Sequence, residues 1–312
     1  LTHTAVELET AISKAANWKP PVELRAYQSF QDAVEFAAEA QATVDWILEP
    51  AIPRGGNGII GGHPKASKSF TATDLCMALS CGASWMGFRV PRRIKTALVA
   101  REDDPGLTQR RIKKLVAGRS EYMYLADQML VNTRRHQADF KVTRDDHMDA
   151  LIDQLGRFGA ELVVLDVFRS LHDGEENDNT EVAKVLAKVN RIQNELKCAI
   201  ALVHHIAKAE GGGNIFRGLR GASAIHGWME WGIGISVTNP EEEDRADYIR
   251  QAEFESKEST AQPVHFKIIE SPDHSAVRLE KTARPTQRRQ KTASSILHPI
   301  ETTPQRARAD LQ

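Results

Sequence analysis

The stretch Gly58-Ile59-Ile60-Gly61-Gly62-His63-Pro64-Lys65-Ala66-Ser67-Lys68-Ser69-Phe70 decides how the chain is read. An apolar run suited to a buried strand leads into a Pro-Lys turn, and a helix-length segment, Ser69 to Cys81, follows. Strand, turn, Lys-Ser and helix in that order make the pattern of a phosphate loop, running from Gly62 to Ser69. Backbone N–H groups of such a loop, with the helix N-terminus behind them, wrap a β-phosphate. The candidate nucleotide contacts are therefore Gly62, Pro64, Lys65, Ala66, Ser67, Lys68, Ser69 and Phe70. Lys68 would set its charge on the β- and γ-phosphates of ATP, and Ser69 would offer its hydroxyl to Mg2+. Ser67 departs from the pattern, standing where the second glycine belongs; a Cβ is costly there if the position needs a positive φ.

Working outward from the loop, apolar runs that suit buried parallel strands recur at 58–62, 96–100, 129–132, 161–165, 198–203 and 228–237. Helix-length segments lie between several of them, at 69–81, 107–116, 147–158 and 180–196. The alternation predicts an α/β fold, a mostly parallel central sheet flanked by helices. From 247 to 280 the pattern changes to short alternating runs, read as antiparallel C-terminal strands. Residues 1–43 read as an N-terminal helical extension broken at Pro20-Pro21, and Val44 to Leu48 as a linker entering an ATPase domain of residues 44–280. The remainder, 281–312, is rich in Pro, Gln, Arg, Ser and Thr and reads as a basic, disordered tail.

Two apolar strands end in carboxylates, as an ATP-hydrolysing site requires. Glu161-Leu-Val-Val-Leu-Asp166 places Asp166 at a strand end, in the Walker B form that holds the Mg2+ shell. Ala97-Leu-Val-Ala-Arg-Glu102 places Glu102 where a base could orient and deprotonate the attacking water. Either acid alone would more often be a helix cap or a solvated residue; their joint occurrence after a phosphate loop reverses that preference. A third strand ends in His204-His205. A metal site would need further ligands at suitable spacing, so a hydrogen-bonding sensor of the γ-phosphate fits better. The one facing the sheet crevice would be the sensor; the sequence leaves His204 and His205 both open, with His204 preferred.

With 41 Lys+Arg and 42 Asp+Glu the 312-residue chain is nearly neutral, at −1. That excludes a strongly basic nucleic-acid binder while leaving room for a small basic patch. The charge is unevenly placed, because the stretch from Lys281 onward holds seven Lys/Arg and two Asp/Glu. No apolar run reaches membrane-spanning length, and the beginning lacks a signal pattern. Three sparse cysteines, Cys76, Cys81 and Cys198, read as reduced core thiols of a cytoplasmic protein.

Taken in order, these stretches resemble the RecA-like P-loop ATPases of the plasmid RepA type, relatives of the DnaB-like hexameric replicative helicases. The likeness runs from about Val44 to about Ile268. It includes Val-His-His-Ile-Ala-Lys and Arg220-Gly-Ala-Ser-Ala. The resemblance implies a homo-oligomeric ring, usually hexameric, with ATP and Mg2+ between neighbours. It also implies a role as an ATP-hydrolysing motor of plasmid or phage type replication. Lys68, Ser69, Glu102 and Asp166 match the family's catalytic positions, and Arg220 matches the arginine that a neighbour inserts to stabilise transition-state charge. Lys257 lies near the place where the DnaB-type relatives carry a Lys-x-Arg pair, and the arginine place is here Ser259. Single-stranded DNA would run through the ring past the glycine-rich loop 207–217, with Lys208 and Arg217 on phosphates and Phe216 stacking on bases. Primase or initiator proteins are the partners such a motor implies. Two other readings stay open: a RecA-type recombination or regulatory ATPase without translocation, and a nucleotide-binding assembly protein with weak hydrolysis.

Overall fold

The computed structural model describes residues 43–174, 178–206, 215–218, 222–240, 242, 247–258 and 261–284. Contacts divide the chain after Val44, and the account below concerns the unit that begins at Asp45. The strands are β1 (Trp46–Leu48), β2 (Ile52–Pro53), β3 (Asn57–Gly62), β4 (Thr96–Ala100), β5 (Met129–Thr133), β6 (Leu162–Asp166) and β7 (Ala199–His205). After them come β8 (Trp231–Val237), β9 (Arg250–Ser256), β10 (Val264–Glu270) and β11 (Val277–Thr282). The α-helices are α1 (Lys68–Cys81), α2 (Pro105–Gly118), α3 (Asp145–Phe158), α4 (Asn179–Leu196) and α5 (Ala222–Trp228).

Among the described residues β3 to β11 form one nine-stranded sheet in the order β11-β10-β9-β8-β3-β7-β6-β4-β5. From β8 to β5 every pairing is parallel; from β8 outward to β11 every pairing is antiparallel. This is the mostly parallel sheet with added antiparallel C-terminal strands expected from the alternation of apolar runs and helix-length segments. Its physical basis is the two-residue period of a strand. Leu98, Ala100, Leu162, Val164, Ala201 and Val203 turn to the face packed by α1 and Leu115 of α2. Ala97, Val99, Val163, Leu165, Ile200 and Leu202 turn to the face packed by α3 and α4. Buried on both sides, these strands read as continuous apolar runs.

Helix ends follow local chemistry. Asp104 caps α2, its Oδ1 accepting from the N–H groups of Gly106 (2.8 Å) and Leu107 (3.3 Å), with Pro105 in the first turn. Asp178 caps α4 in the same way through Thr180 and Glu181. Three expectations need correction. The supposed linker at 44–48 contains β1, which pairs with β2 and buries Ile47 and Leu48 in the core. The run 228–237 begins with the end of α5, and its strand starts at Trp231. Lys281 and Thr282 belong to β11, opposite Phe266 and His265, so the sheet continues past the expected boundary at 280.

The helical reading of residues 1–42 and the tail from 285 onward lie outside the described residues. No described helix is long and apolar enough to cross a membrane. Cys76 and Cys198 are buried free thiols whose pKa values desolvation pushes up to about 12, which makes them poor nucleophiles.

Candidate nucleotide site

β3 carries Gly62 to the carboxyl edge of the parallel strands, where the chain turns into α1. A Cβ at Gly62 would fall 2.4 Å from the carbonyl oxygen of Ile235 on β8, so only glycine lets the two strands lie this close. The loop then bends through two left-handed residues, Lys65 at φ 67° and Ser67 at φ 72°. Ser67 therefore bears the steric cost suspected from its place in the motif, roughly 1–2 kcal/mol for a residue with a Cβ. It precedes α1 without making a side-chain cap, so the first-turn N–H groups are left for another acceptor. An anion at that helix start would satisfy them and meet the positive end of the helix dipole. Pro64 and Lys65 are exposed on the loop, whereas Ala66 is buried and its N–H donates to the His63 carbonyl at 3.2 Å.

Lys68 is only 6% exposed. Its Nζ donates to the His63 carbonyl at 3.0 Å and lies 3.1 Å from Nδ1 of His205. Burial pushes the Lys68 pKa down, while Glu102 and Asp166 work to keep it charged. Ser69 Oγ donates to Asp166 Oδ1 at 3.0 Å, which joins the loop to the end of β6, two strands away. Asp166 is fully enclosed, and burial pushes its pKa up to about 7 against the opposing effects of the Ser69 hydrogen bond and Arg111. A carboxyl so desolvated is one that a divalent cation would return to its charged form. Glu102 follows β4, half exposed, with Oε1 3.9 Å from His205 Nε2, and its backbone carbonyl accepts from Arg134 Nη2 at 2.8 Å. The strand ends thus bring Lys68, Ser69, Glu102 and Asp166 to one edge of the sheet.

His204 requires correction. It is 1% exposed and turns to the opposite face, edge-on to the Phe168 ring with centroids 5.8 Å apart. His205 is the histidine that reaches Lys68 and Glu102. Register explains the exchange, because β3 and β7 pair Gly62 with His205 and Gly61 with His204. Strand parity carried the missing signal: His205 shares its face with Ala201 and Val203, the side packed by α1.

Several residues at the site escaped notice in the sequence. Arg111 on α2 pairs with Asp103 at 2.8 Å and lies 5.9 Å from the Phe70 ring centroid. Arg250, at the start of β9, donates through Nε to Ser67 Oγ at 3.1 Å. His63 Nδ1 lies 3.0 Å from the Ile206 carbonyl, tying the loop to the end of β7. Arg111 and Arg250 belong to no spaced motif, and His63 stands at a position of the loop pattern that specifies no residue type, so no sequence pattern distinguishes them from solvated neighbours.

The expected nucleic-acid contacts fare differently. Lys208 and Arg220 lie outside the described residues, as does the side chain of Arg217. Phe216 is 2% exposed and lies over Gly232 on β8, where a Cβ would fall 2.6 Å from its ring. In this structure its ring is a core element and is not presented for base stacking. Lys257 follows β9 at the end of the sheet opposite the loop, its N–H donating to the Glu230 carbonyl. Its expected partner Ser259 is outside the described residues. Among the described residues no group of three or more His, Cys, Asp or Glu is placed to hold a metal ion. The donor set fits Mg2+ only in the phosphate-loop manner, through Ser69 and Asp166 with nucleotide oxygens completing the shell.

Residues 20–211 match the protein family described as AAA domain, a span of more than half the chain. The fold is also similar to the crystal structure of a KaiC-like protein from the hyperthermophilic archaeon Pyrococcus horikoshii. The TM-score is 0.50 at 16% identity, over 74% of this chain and 93% of that one. At that identity the likeness speaks for the fold alone.

Proposed function

Because the chain belongs to the AAA domain family, we propose that it is an ATP-hydrolysing, ring-forming motor acting on single-stranded DNA, helicase-like and of the plasmid or phage replication type. The observation that carries the hydrolytic part is the convergence of Ser69 with Asp166, and of Lys68 with His205 and Glu102, on adjoining strand ends. In this reading the loop N–H groups from Gly62 to Ser69 and the α1 N-terminus bind the phosphates. Lys68 supplies positive charge to the phosphoryl group in flight, and its close packing keeps that charge undiluted by water. Mg2+, when bound, would neutralise charge on the β- and γ-oxygens. Ser69 and Asp166 would hold it.

Glu102 accepts the proton of the attacking water. His205, between Glu102 and Lys68, is placed to couple the base to the phosphate-binding lysine and takes over the sensor role first given to His204. Arg220 acts on a neighbouring subunit's site, so hydrolysis requires assembly. DNA affinity comes from Lys208 and Arg217 repeated around the ring, each set of phosphate contacts releasing counterions.

The test is hydrolysis with and without single-stranded DNA, together with particle mass in a non-hydrolysable ATP analogue. A closed ring with DNA-stimulated turnover and strand separation is expected; a monomer that hydrolyses ATP at an unchanged rate would overturn the motor reading. Mixing Arg220→Ala with Glu102→Gln subunits should recover turnover at composite sites, and no rescue at any ratio would remove Arg220 from the trans role. The burial of Phe216 favours one alternative, an ATP-driven switch that binds DNA without translocating. Its mark would be DNA-stimulated hydrolysis without strand separation.

A further inference from the structure

Ser67 is the residue that breaks the phosphate-loop pattern, and Arg250 is a buried cation that the pattern does not contain. Ser67 holds a left-handed conformation, φ 72° and ψ 29°, with its carbonyl accepting from the N–H and hydroxyl of Thr71. Its own Oγ accepts from Arg250 Nε at 3.1 Å. Arg250 stands at the first position of β9, opposite Val237 of β8 and Phe266 of β10, and is 4% exposed. Nη1 donates to the Tyr248 carbonyl at 2.9 Å, and the guanidinium lies 5.8 Å from the Tyr248 ring centroid.

Burial pushes the Arg250 pKa down, and among the described residues no carboxylate contributes to holding its charge; only Tyr248 does. A desolvated guanidinium with so little compensation is costly to bury. Set against the phosphate loop, it is placed where a bound polyanion would compensate it. Two anomalies, a serine in a glycine's place and a buried arginine outside any motif, therefore meet in one hydrogen bond.

We propose that Arg250 is a positioning residue that acts through Ser67, clamping the strained loop in its phosphate-binding shape so that nucleotide affinity depends on the antiparallel part of the sheet. The inference rests on the loop from Gly62 to Ser69 being the nucleotide site. The physical reason for the pairing is conformational. Glycine visits the left-handed region freely, whereas serine there competes with a relaxed loop in which the first-turn N–H groups of α1 no longer converge. A charge-assisted hydrogen bond from a rigidly held arginine offsets that competition.

The test is a double-mutant cycle read by titration of a fluorescent ADP analogue with Mg2+, which needs no hydrolysis. Arg250→Met and Ser67→Ala should each weaken binding about tenfold, the scale of one charge-assisted hydrogen bond. Ser67→Gly should bind more tightly than Ser67→Ala, because glycine keeps the loop N–H and needs no clamp. In the Ser67→Gly background Arg250→Met should then cost less than about threefold. In steady-state turnover Arg250→Met should raise KM and leave kcat within about twofold.

An equal loss from Arg250→Met in the serine and glycine backgrounds would overturn the proposal, since a merely structural arginine would behave that way. If Arg250→Met loses its cooperative thermal transition, the contrast between Ser67→Ala and Ser67→Gly decides alone, and equal affinity of the two refutes the clamp. Lys68→Ala separates the two claims. If it binds the analogue normally, the nucleotide-site reading fails. If it loses binding while the Arg250 and Ser67 variants do not, only the clamp fails.

Discussion

Asp74 lies in the middle of α1, the helix whose first turn carries Lys68 and Ser69, and has no solvent exposure. Its Oδ2 accepts from Trp85 Nε1 at 3.0 Å and its Oδ1 from the Tyr122 hydroxyl at 2.6 Å. Burial pushes its pKa up from 3.8 to about 6, outweighing the Tyr122 hydrogen bond, Arg119 and the Trp85 hydrogen bond. The native state thus keeps a proton that the unfolded chain gives up earlier, and stability falls as pH rises from the unfolded to the folded value. At about 1.4 kcal/mol per pH unit, the rise from 3.8 to about 6 makes a penalty of about 3 kcal/mol, complete by pH 7.5. At pH 4.5 only about 1 kcal/mol of it is present, because the unfolded carboxyl is still partly protonated.

Asp74→Asn keeps the shape and the neutral state. Its amide oxygen can accept from Trp85 and its NH2 can donate to the Tyr122 oxygen, whose own proton also reaches the Asp74 carbonyl at 3.2 Å. Relative to wild type, the variant should therefore gain about 2 kcal/mol of stability between pH 4.5 and pH 7.5. Asp166, raised in the same direction, is common to both proteins and cancels in the difference. Urea unfolding followed by tryptophan fluorescence at the two pH values measures the difference, Trp85 being a fully buried reporter. A variant-minus-wild-type difference that stays within about 0.5 kcal/mol across that range would show that Asp74 is not held protonated by burial.

Lys68→Ala should abolish ATP hydrolysis and weaken nucleotide binding, and full turnover would contradict the loop assignment. Glu102→Gln should bind the nucleotide normally while turnover falls about a hundredfold or more, as expected for loss of a general base. His205→Ala should lower kcat about tenfold or more with little change in melting temperature. His204→Ala, which empties a place beside Phe168, should instead lower the melting temperature, and single-turnover kinetics with thermal melts separate the two. Phe216→Ala should cost about 3–5 kcal/mol in urea unfolding, the range for a buried aromatic. If stability is unchanged and DNA affinity alone falls, the ring is a stacking residue after all.

How much of this was legible beforehand depends on the range of each interaction. The parallel strands and helices up to Leu196 were readable because burial on both sheet faces imposes continuous apolar runs, a signal that needs only neighbouring residues. The phosphate loop and the strand-end acids were readable for a related reason: each is a short contiguous stretch, and backbone geometry alone puts a strand's last residue at the sheet edge. The β1 segment was misread as a linker because five residues cannot reveal that Ile47 and Leu48 meet a core built mostly from residues further along.

The choice between His204 and His205 turned on which face α1 covers, a fact of chain crossover that no local pattern encodes. Phe216 looked like a stacking residue in a glycine-rich loop until the tertiary fold set it over Gly232, whose missing side chain makes room for the ring. The sequence by itself thus determined the fold class, the loop that would hold phosphate and the acids that would serve it. Only the tertiary structure decided which histidine faces the lysine, and that Arg250, 183 positions from Ser67, reaches it. Those contacts join elements at one edge of the sheet, from adjacent strands β3 and β7 and from β3 and β9 with β8 between them, that are distant along the chain.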